Sequence, residues 1–420
     1  MACSLDSRPS SGLSAGMSQL SGTYNMVASI PTQIFPVTSD LKLRAEAVAV
    51  AAAKSADAVD RDGRFPAEAF QAARAQRLLG VLVPSDLGGE EASISDVVDV
   101  CYVLGRACAS TAMIFAMHQI MVAILVRHAR NSPWHRRLLH QLATEQLLLA
   151  SSTTEGQGGG DLRKSACAVE RIGSRMTLTK RATVMSYGAH ADGILTTARR
   201  AADSAPSDQV LAAFVKEDYQ LERLVDWDAL GMRGTCSTGF MFKATGNMDQ
   251  LLPDPYQTIH AQTMMPVAHL TWSGVWSGLA AGALERARRF VRSAARHANG
   301  QLPPGAAHLT RAITSLRALR GMVSSALQRF ETIERAELEG IDFQTTMNLL
   351  KVNASEMAIA TVMSCMQACG LSGYRNDGEY SIGRHLRDVL SSSVMINNDR
   401  ILANAASASL LIEVPHLLRD

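Results

Sequence analysis

The chain has 420 residues, 47% of them hydrophobic and 19% charged, which is enough apolar content for a large core and suggests two or three domains. Its 41 basic and 39 acidic side chains leave a net charge of only +2, so there is no electrostatic case for nucleic acid, which needs clustered positive charge. Seven cysteines, an odd number scattered along a long chain, do not form a disulfide framework and point to a reducing, cytoplasmic setting.

The first 36 residues are rich in Ser, Gly and Met and lack a basic start followed by an apolar segment. They are expected to form a disordered or loosely attached arm rather than a signal peptide. From Asp40 the pattern turns helical. A first helix is predicted over 45–59, and Phe65-Pro66 opens a second. Ser93 can cap a third, with Asp96 three residues on completing a capping box. Helices over 110–129 and 134–145 follow. The stretch 111–126 is apolar but interrupted by His118 and Gln119, and it is shorter than the ~20 residues that span a bilayer. It is predicted to be a buried helix, so residues 37–148 form an N-terminal α-helical domain with no membrane span.

Near Leu149 the period changes. Short strands are predicted over 147–154, 166–169, 175–179, 183–186, 193–198, 210–215 and 239–243. The loop 155–161 is rich in glycine, and 226–235 is a turn region. Residues 149–257 therefore make a middle antiparallel β-barrel or sandwich. Helical periodicity returns after Pro255, over 263–298, 307–336, 343–369 and 383 to near 412. Residues 258–420 are assigned to a C-terminal four-helix bundle. The fold class is α+β and multidomain, and the absence of βαβ alternation excludes a doubly wound dinucleotide fold.

One break stands out. Residues 366–374 (Met-Gln-Ala-Cys-Gly-Leu-Ser-Gly-Tyr) interrupt a long helix pattern. Glycine lets backbone approach a flat or anionic ligand, so the break reads as the edge of a cofactor site. On spacing alone it also reads as a helix C-cap and turn, the commoner role of such short glycine motifs.

Five stretches in order carry a resemblance: 80–89 (Gly-Val-Leu-Val-Pro-Ser-Asp-Leu-Gly-Gly), 154–161 (Thr-Glu-Gly-Gln-Gly-Gly-Gly-Asp), 180–186 (Lys-Arg-Ala-Thr-Val-Met-Ser), 227–237 (Trp-Asp-Ala-Leu-Gly-Met-Arg-Gly-Thr-Cys-Ser), and the 366–374 break with Arg387-Asp388 after it. Together they resemble the acyl-CoA dehydrogenase superfamily of flavoproteins from about residue 40 onward. The resemblance implies FAD held between the domains and a homodimer or homotetramer. It implies cofactor roles for Thr154 at the pyrimidine edge, Ser186 at the N5 side, and Arg296 at the pyrophosphate, where a guanidinium fork suits phosphate oxygens. Gln367 and Gly370 match an element that reaches the cofactor from a neighbouring subunit. Asn398 joins this cofactor group.

The departures concern the chemistry. The family's catalytic Glu position is Ile396, in the triplet Ile396-Asn397-Asn398. The alternative base position on an earlier helix is Ala268. The family's aromatic before Ser186 is Val184, its loop serine is Gly160, its second glycine after Gly370 is Leu371, and Asn299 precedes Gly300 where Phe is usual. Desaturation of a thioester needs a base at the α-carbon. Three stand-ins are available: His118, His269 and Asp399. Residues 263–272 carry no Arg or Asp for a nucleotide, which favours a carrier-protein thioester or a non-CoA substrate.

Three functions follow as expectations. The first is FAD-dependent α,β-dehydrogenation of a CoA- or carrier-bound acyl thioester by a non-standard base. The second is a two-component monooxygenase fed reduced flavin by a partner reductase and using O2. The third is a non-catalytic flavin-fold scaffold. No metal site is expected.

Overall fold

The computed structural model describes residues 40–155, 164–413 and 416. The expected N-terminal arm and most of the glycine-rich loop lie outside the described residues.

Helices open the fold. α1 (Leu41–Asp62) is capped by Asp40, whose carboxylate accepts from the amides of Lys42 and Leu43. α2 (Ala67–Ala75) follows. α3 (Ile94–Ala107) begins with the reciprocal Ser93–Asp96 capping box anticipated from spacing. α4 (Ala109–His128) is buried nearly all round, as an all-round apolar helix must be. Among the described residues it is the one helix long and apolar enough to cross a bilayer, and 89% of its apolar window is buried within the fold. It packs on α3, α7 and the first strand, so it is a core helix. α5 (Pro133–Glu145) closes this helical region.

The middle region holds two sheets. β1 (Leu149–Ser152), β4 (Gly193–Arg199) and β5 (Gln209–Val215) form one, in the order β1-β4-β5. β2 (Glu170–Ile172), β3 (Arg175–Met185), β7 (Thr238–Asn247) and β6 (Tyr219–Val225) form the other, in the order β2-β3-β7-β6. The pairing is antiparallel except that β1 runs parallel to β4. The expected strands 175–179 and 183–186 are one strand with an irregularity between Ala182 and Met185. The expected strand 166–169 makes only a single bridge, Ala168 to Arg199. β6 escaped sequence reading because it is an edge strand with Glu222 and Arg223 among its exposed positions, as edges favour charge.

The C-terminal helices start earlier than periodicity suggested. A short turn, α6 (Tyr256–Ile259), passes into a π-helical turn (His260–Met264) and then α7 (Met265–His297). α8 (Ala306–Thr332) and α9 (Ile341–Cys369) follow, with a short α10 (Leu371–Tyr374) after the turn at Gly370. The expected last helix is two helices: α11 (Gly383–Val394) and α12 (Asn398–Ser409). Ile396, between them, sits at φ 48°, a left-handed conformation that cannot continue a helix. α7 is the hub, packed on α3, α4, α8, α9 and α11. Its contact with α3 is backbone-close: a Cβ on Gly278 would lie 2.2 Å from the Tyr102 carbonyl oxygen.

Candidate functional site

A cavity of about 450 Å³ lies where the helical regions meet the strand ends. Met117, Ile120 and Met121 of α4 supply one wall. Ser151 of β1 and Thr153 and Thr154 just after it line another, with Val184 and Ser186 at the end of β3. The π turn contributes His260 and Met264, and α7 contributes Ala268, His269 and Trp272. Gln344 and Asn348 of α9 face Met395, Ile396, Arg400 and Asn404 from the α11–α12 break. The volume suits a small organic ligand, and so does a mostly apolar wall with a few polar groups. No Asp or Glu lines it among the described residues.

The π turn is held from behind. The His128 Nδ1–H donates to Asp254 Oδ2 at 2.7 Å, and Nε2 accepts from the Thr263 hydroxyl at 2.7 Å. Burial keeps His128 below its ordinary pKa despite the carboxylate, so the ring is neutral in this arrangement. An insertion of this kind in a helix recurs at functional sites. Here it sets His260 and Met264 on the cavity wall.

A hydroxyl relay underlies Ser186. Thr235 Oγ1 donates to the Met232 carbonyl at 2.8 Å. Its proton is then committed, so Ser237 donates to Thr235 across 2.8 Å, and Ser186 donates to Ser237 across 2.8 Å. The Ser186 oxygen is left to the cavity as an acceptor. The turn carrying Met232 is fixed in turn by Asp388, whose Oδ1 accepts from the Met232 amide at 2.7 Å. Burial pushes the Asp388 carboxyl up to about 6. Arg387 is paired with Asp60 of α1, so the Arg387-Asp388 pair ties the last helices to the middle and first regions.

Of the three candidate bases, His269 alone lines the cavity. Its Nδ1–H donates to the Met347 carbonyl at 2.9 Å, and burial holds its pKa down to about 3. The ring is a neutral acceptor through Nε2. His118 is wholly buried and off the wall. Its Nε2–H donates to the Leu79 carbonyl at 2.8 Å, and its Nδ1 accepts from the Leu149 amide at 3.0 Å. Both ring nitrogens of this candidate base are therefore engaged by backbone groups. Asp399 is exposed in the first turn of α12 and also off the wall.

The cofactor candidates divide in the same way. Thr154 and Ser186 line the cavity. Asn398 is buried behind it: Oδ1 accepts from Lys351 Nζ at 2.7 Å and Nδ2 donates to Ser355 at 2.9 Å. Arg296 is exposed in the last turn of α7, 24 residues beyond Trp272, or about 36 Å along the helix. Gln367 and Gly370 are exposed at the end of α9, Gln367 lying about 28 Å along it from Asn348. One chain does not bring these three to the cavity.

Sequence reading passed over Lys351. It is fully buried, and its ammonium donates to the Ile396 carbonyl at 2.8 Å as well as to Asn398. It pins the left-handed residue that shapes the wall. Its only sequence signal is a lone cation in the apolar run Leu349-Leu350-Lys351-Val352.

Comparison with known proteins is consistent with this geometry. Residues 39–146 match the family described as acyl-CoA dehydrogenase, N-terminal domain, and residues 260–410 match acyl-CoA dehydrogenase, C-terminal domain. The chain is 24% identical to the amino sugar nitrososynthase DnmZ of Streptomyces peucetius, over 80% of this chain and 84% of that protein. It is also 24% identical to cyclohex-1-ene-1-carbonyl-CoA dehydrogenase of Geobacter metallireducens, over 84% of this chain and 92% of that one. Its fold superposes on FMN-bound TdsC from Paenibacillus sp. A11-2 with a TM-score of 0.77 and 21% identity, covering 89% of this chain and 98% of that one.

Proposed function

Because the chain belongs to the acyl-CoA dehydrogenase family, we propose that it is a flavin-dependent monooxygenase of that family, using reduced flavin and O2, rather than a thioester dehydrogenase. The observation that carries this is the cavity wall. It has Ile396 at the position of the family's base, no carboxylate among its described residues, and an imidazole, His269, whose pKa of about 3 makes it a poor base. Relatives named for oxygen chemistry support the same reading: a nitrososynthase and dibenzothiophene monooxygenases.

The residues fit an isoalloxazine ring. The apolar side chains of Met117, Met121, Val184 and Trp272 suit its faces, and Thr154 and Ser186 suit a polar edge. A bound reduced flavin would supply two electrons to O2, one oxygen atom going to the substrate and the other leaving as water. Ser186, fixed as an acceptor by the relay through Ser237 and Thr235, favours the reduced ring, which carries an N–H where the oxidised ring carries a bare nitrogen. The methionines exclude water while adapting to ligand shape. The reduced flavin would come from a partner reductase. The candidates for a dinucleotide's phosphate end, Arg296 and Gln367, lie far from the cavity within one chain, so FMN serves this reading as well as FAD.

The test is anaerobic titration of the protein with reduced and with oxidised FMN and FAD, followed by thioester addition. Tighter binding of a reduced flavin, with no reduction of the oxidised flavin by any CoA- or carrier-linked thioester, is the expected result. Rapid bleaching of bound flavin by a thioester would overturn the proposal and favour dehydrogenation.

A further inference from the structure

Where α9 faces α12 the cavity adjoins a hollow of about 210 Å³, and the two share three amide side chains, Gln344, Asn348 and Asn404, beside the apolar Ile401. The orientation of the Gln344 amide is fixed. Its Nε2 donates both hydrogens, to the Ala261 carbonyl at 2.9 Å and the Leu338 carbonyl at 2.6 Å. That leaves Oε1 as an acceptor with no partner among the described residues. Asn348 Nδ2 donates to the Gln344 carbonyl at 2.9 Å, which leaves its Oδ1 open in the same way. Asn404, one helical turn beyond Arg400, makes no described hydrogen bond at all.

We propose that Gln344, Asn348 and Asn404 form a substrate subsite that takes a neutral hydrogen-bond-donating substituent, a hydroxyl or uncharged amino group, on a molecule whose body is apolar. The chemistry is one of complementarity. The Gln344 and Asn348 side chains are half-buried and Asn404 is exposed, so without a ligand their oxygens face water, and a ligand donor that replaces this water with a matched hydrogen bond is favoured over a group that cannot donate. A carboxylate or phosphate group would meet the fixed Gln344 and Asn348 oxygens unfavourably. An ammonium would meet no carboxylate, and the Arg400 guanidinium lines the same cavity. The apolar side chains on the same part of the wall, Met395, Ile396 and Ile401, take the apolar body and leave the faces offered to the flavin ring free. As a substrate assignment this rests on the monooxygenase reading, but the recognition it describes does not need flavin.

The test measures binding of 2-naphthol and of 2-methoxynaphthalene to the full chain by calorimetry, without flavin or O2 turnover and again with FMN added. The two differ in one donor hydrogen. Wild type is expected to prefer the naphthol by about tenfold. Gln344→Leu/Asn348→Leu is expected to bind the ether as before and lose the preference. Gln344 also braces the Ala261 and Leu338 carbonyls, so Asn348→Leu/Asn404→Leu provides a second variant that leaves those bonds in place. It is expected to reduce the preference by about threefold or more. Equal affinity in wild type, failure of both compounds to bind, or a preference that survives in both variants would overturn the subsite. A preserved preference in a protein that fails to oxygenate anything would instead sink the monooxygenase reading and leave the subsite standing.

Discussion

His118 holds the start of β1 against the turn at Leu79, and this makes a quantitative prediction. Protonation must occur at Nδ1, the atom that accepts from the Leu149 amide, so it breaks that bond and sets two N–H groups against each other. Burial accordingly lowers the pKa to about 4 from an ordinary value of 6.5. The folded state therefore refuses a proton that the unfolded chain accepts below pH 6.5. The stability contributed is complete above that value and is lost as pH falls toward 4. At about 1.4 kcal/mol per tenfold change, the whole loss is about 3 kcal/mol, of which about 2 is gone by pH 5. In His118→Leu the Leu149 amide is orphaned, which costs about 2 kcal/mol at pH 7. The Leu79 carbonyl keeps Gln119 as a donor at 3.2 Å. The variant should thus be weaker at pH 7 but lose less on acidification, so the two stability curves cross near about pH 5. Urea unfolding midpoints at half-unit pH steps measure this. Parallel curves would refute the reasoning, since they would mean that the ring titrates alike in both states. At pH 7 the folded variant should retain its turnover number, because His118 does not touch the cavity.

Three further outcomes follow from the same geometry. Thr263→Val removes the hydroxyl that His128 Nε2 accepts, freeing the π turn; it should cost about 1–3 kcal/mol in thermal or urea unfolding and loosen ligand binding at His260, whereas Thr263→Ser should restore both. Gly278→Ala places a methyl against the Tyr102 carbonyl oxygen, so the clash should exceed the ~1 kcal/mol gained in helix propensity, and the variant should be less stable by chemical denaturation. Lys351 is held by burial at about 8 against an ordinary 10.5, so the folded state binds fewer protons than the unfolded one between those values. Stability from this group should rise with pH across that window, and the rise should be missing in Lys351→Met when unfolding midpoints are compared at pH 8 and 10.5.

Much of this molecule was legible in its residues. The Ser93–Asp96 cap, the long apolar run of α4 and the change of period at Leu149 gave the order of helices, strands and helices, because capping, hydropathy and alternation are local properties. The motif around Ser186 and the missing carboxylate at Ile396 could also be read directly, and both residues line the cavity. Other features could not be read. The parallel pairing of β1 with β4 joins residues more than 40 positions apart, and the charged edge strand β6 has a weak alternating pattern.

The roles of the histidines were decided by folding alone. His118 and His269 lie on similar apolar helix faces in the sequence, yet one has both nitrogens occupied by backbone and the other keeps Nε2 toward a cavity. Likewise, Asn398 next to the break is spent on Lys351, while Gln344, more than 50 residues earlier, reaches the wall. The sequence determines which groups are present and which local elements carry them. Which lone pairs remain unspent depends on partners brought together from distant segments, and that pairing exists only in the packed chain.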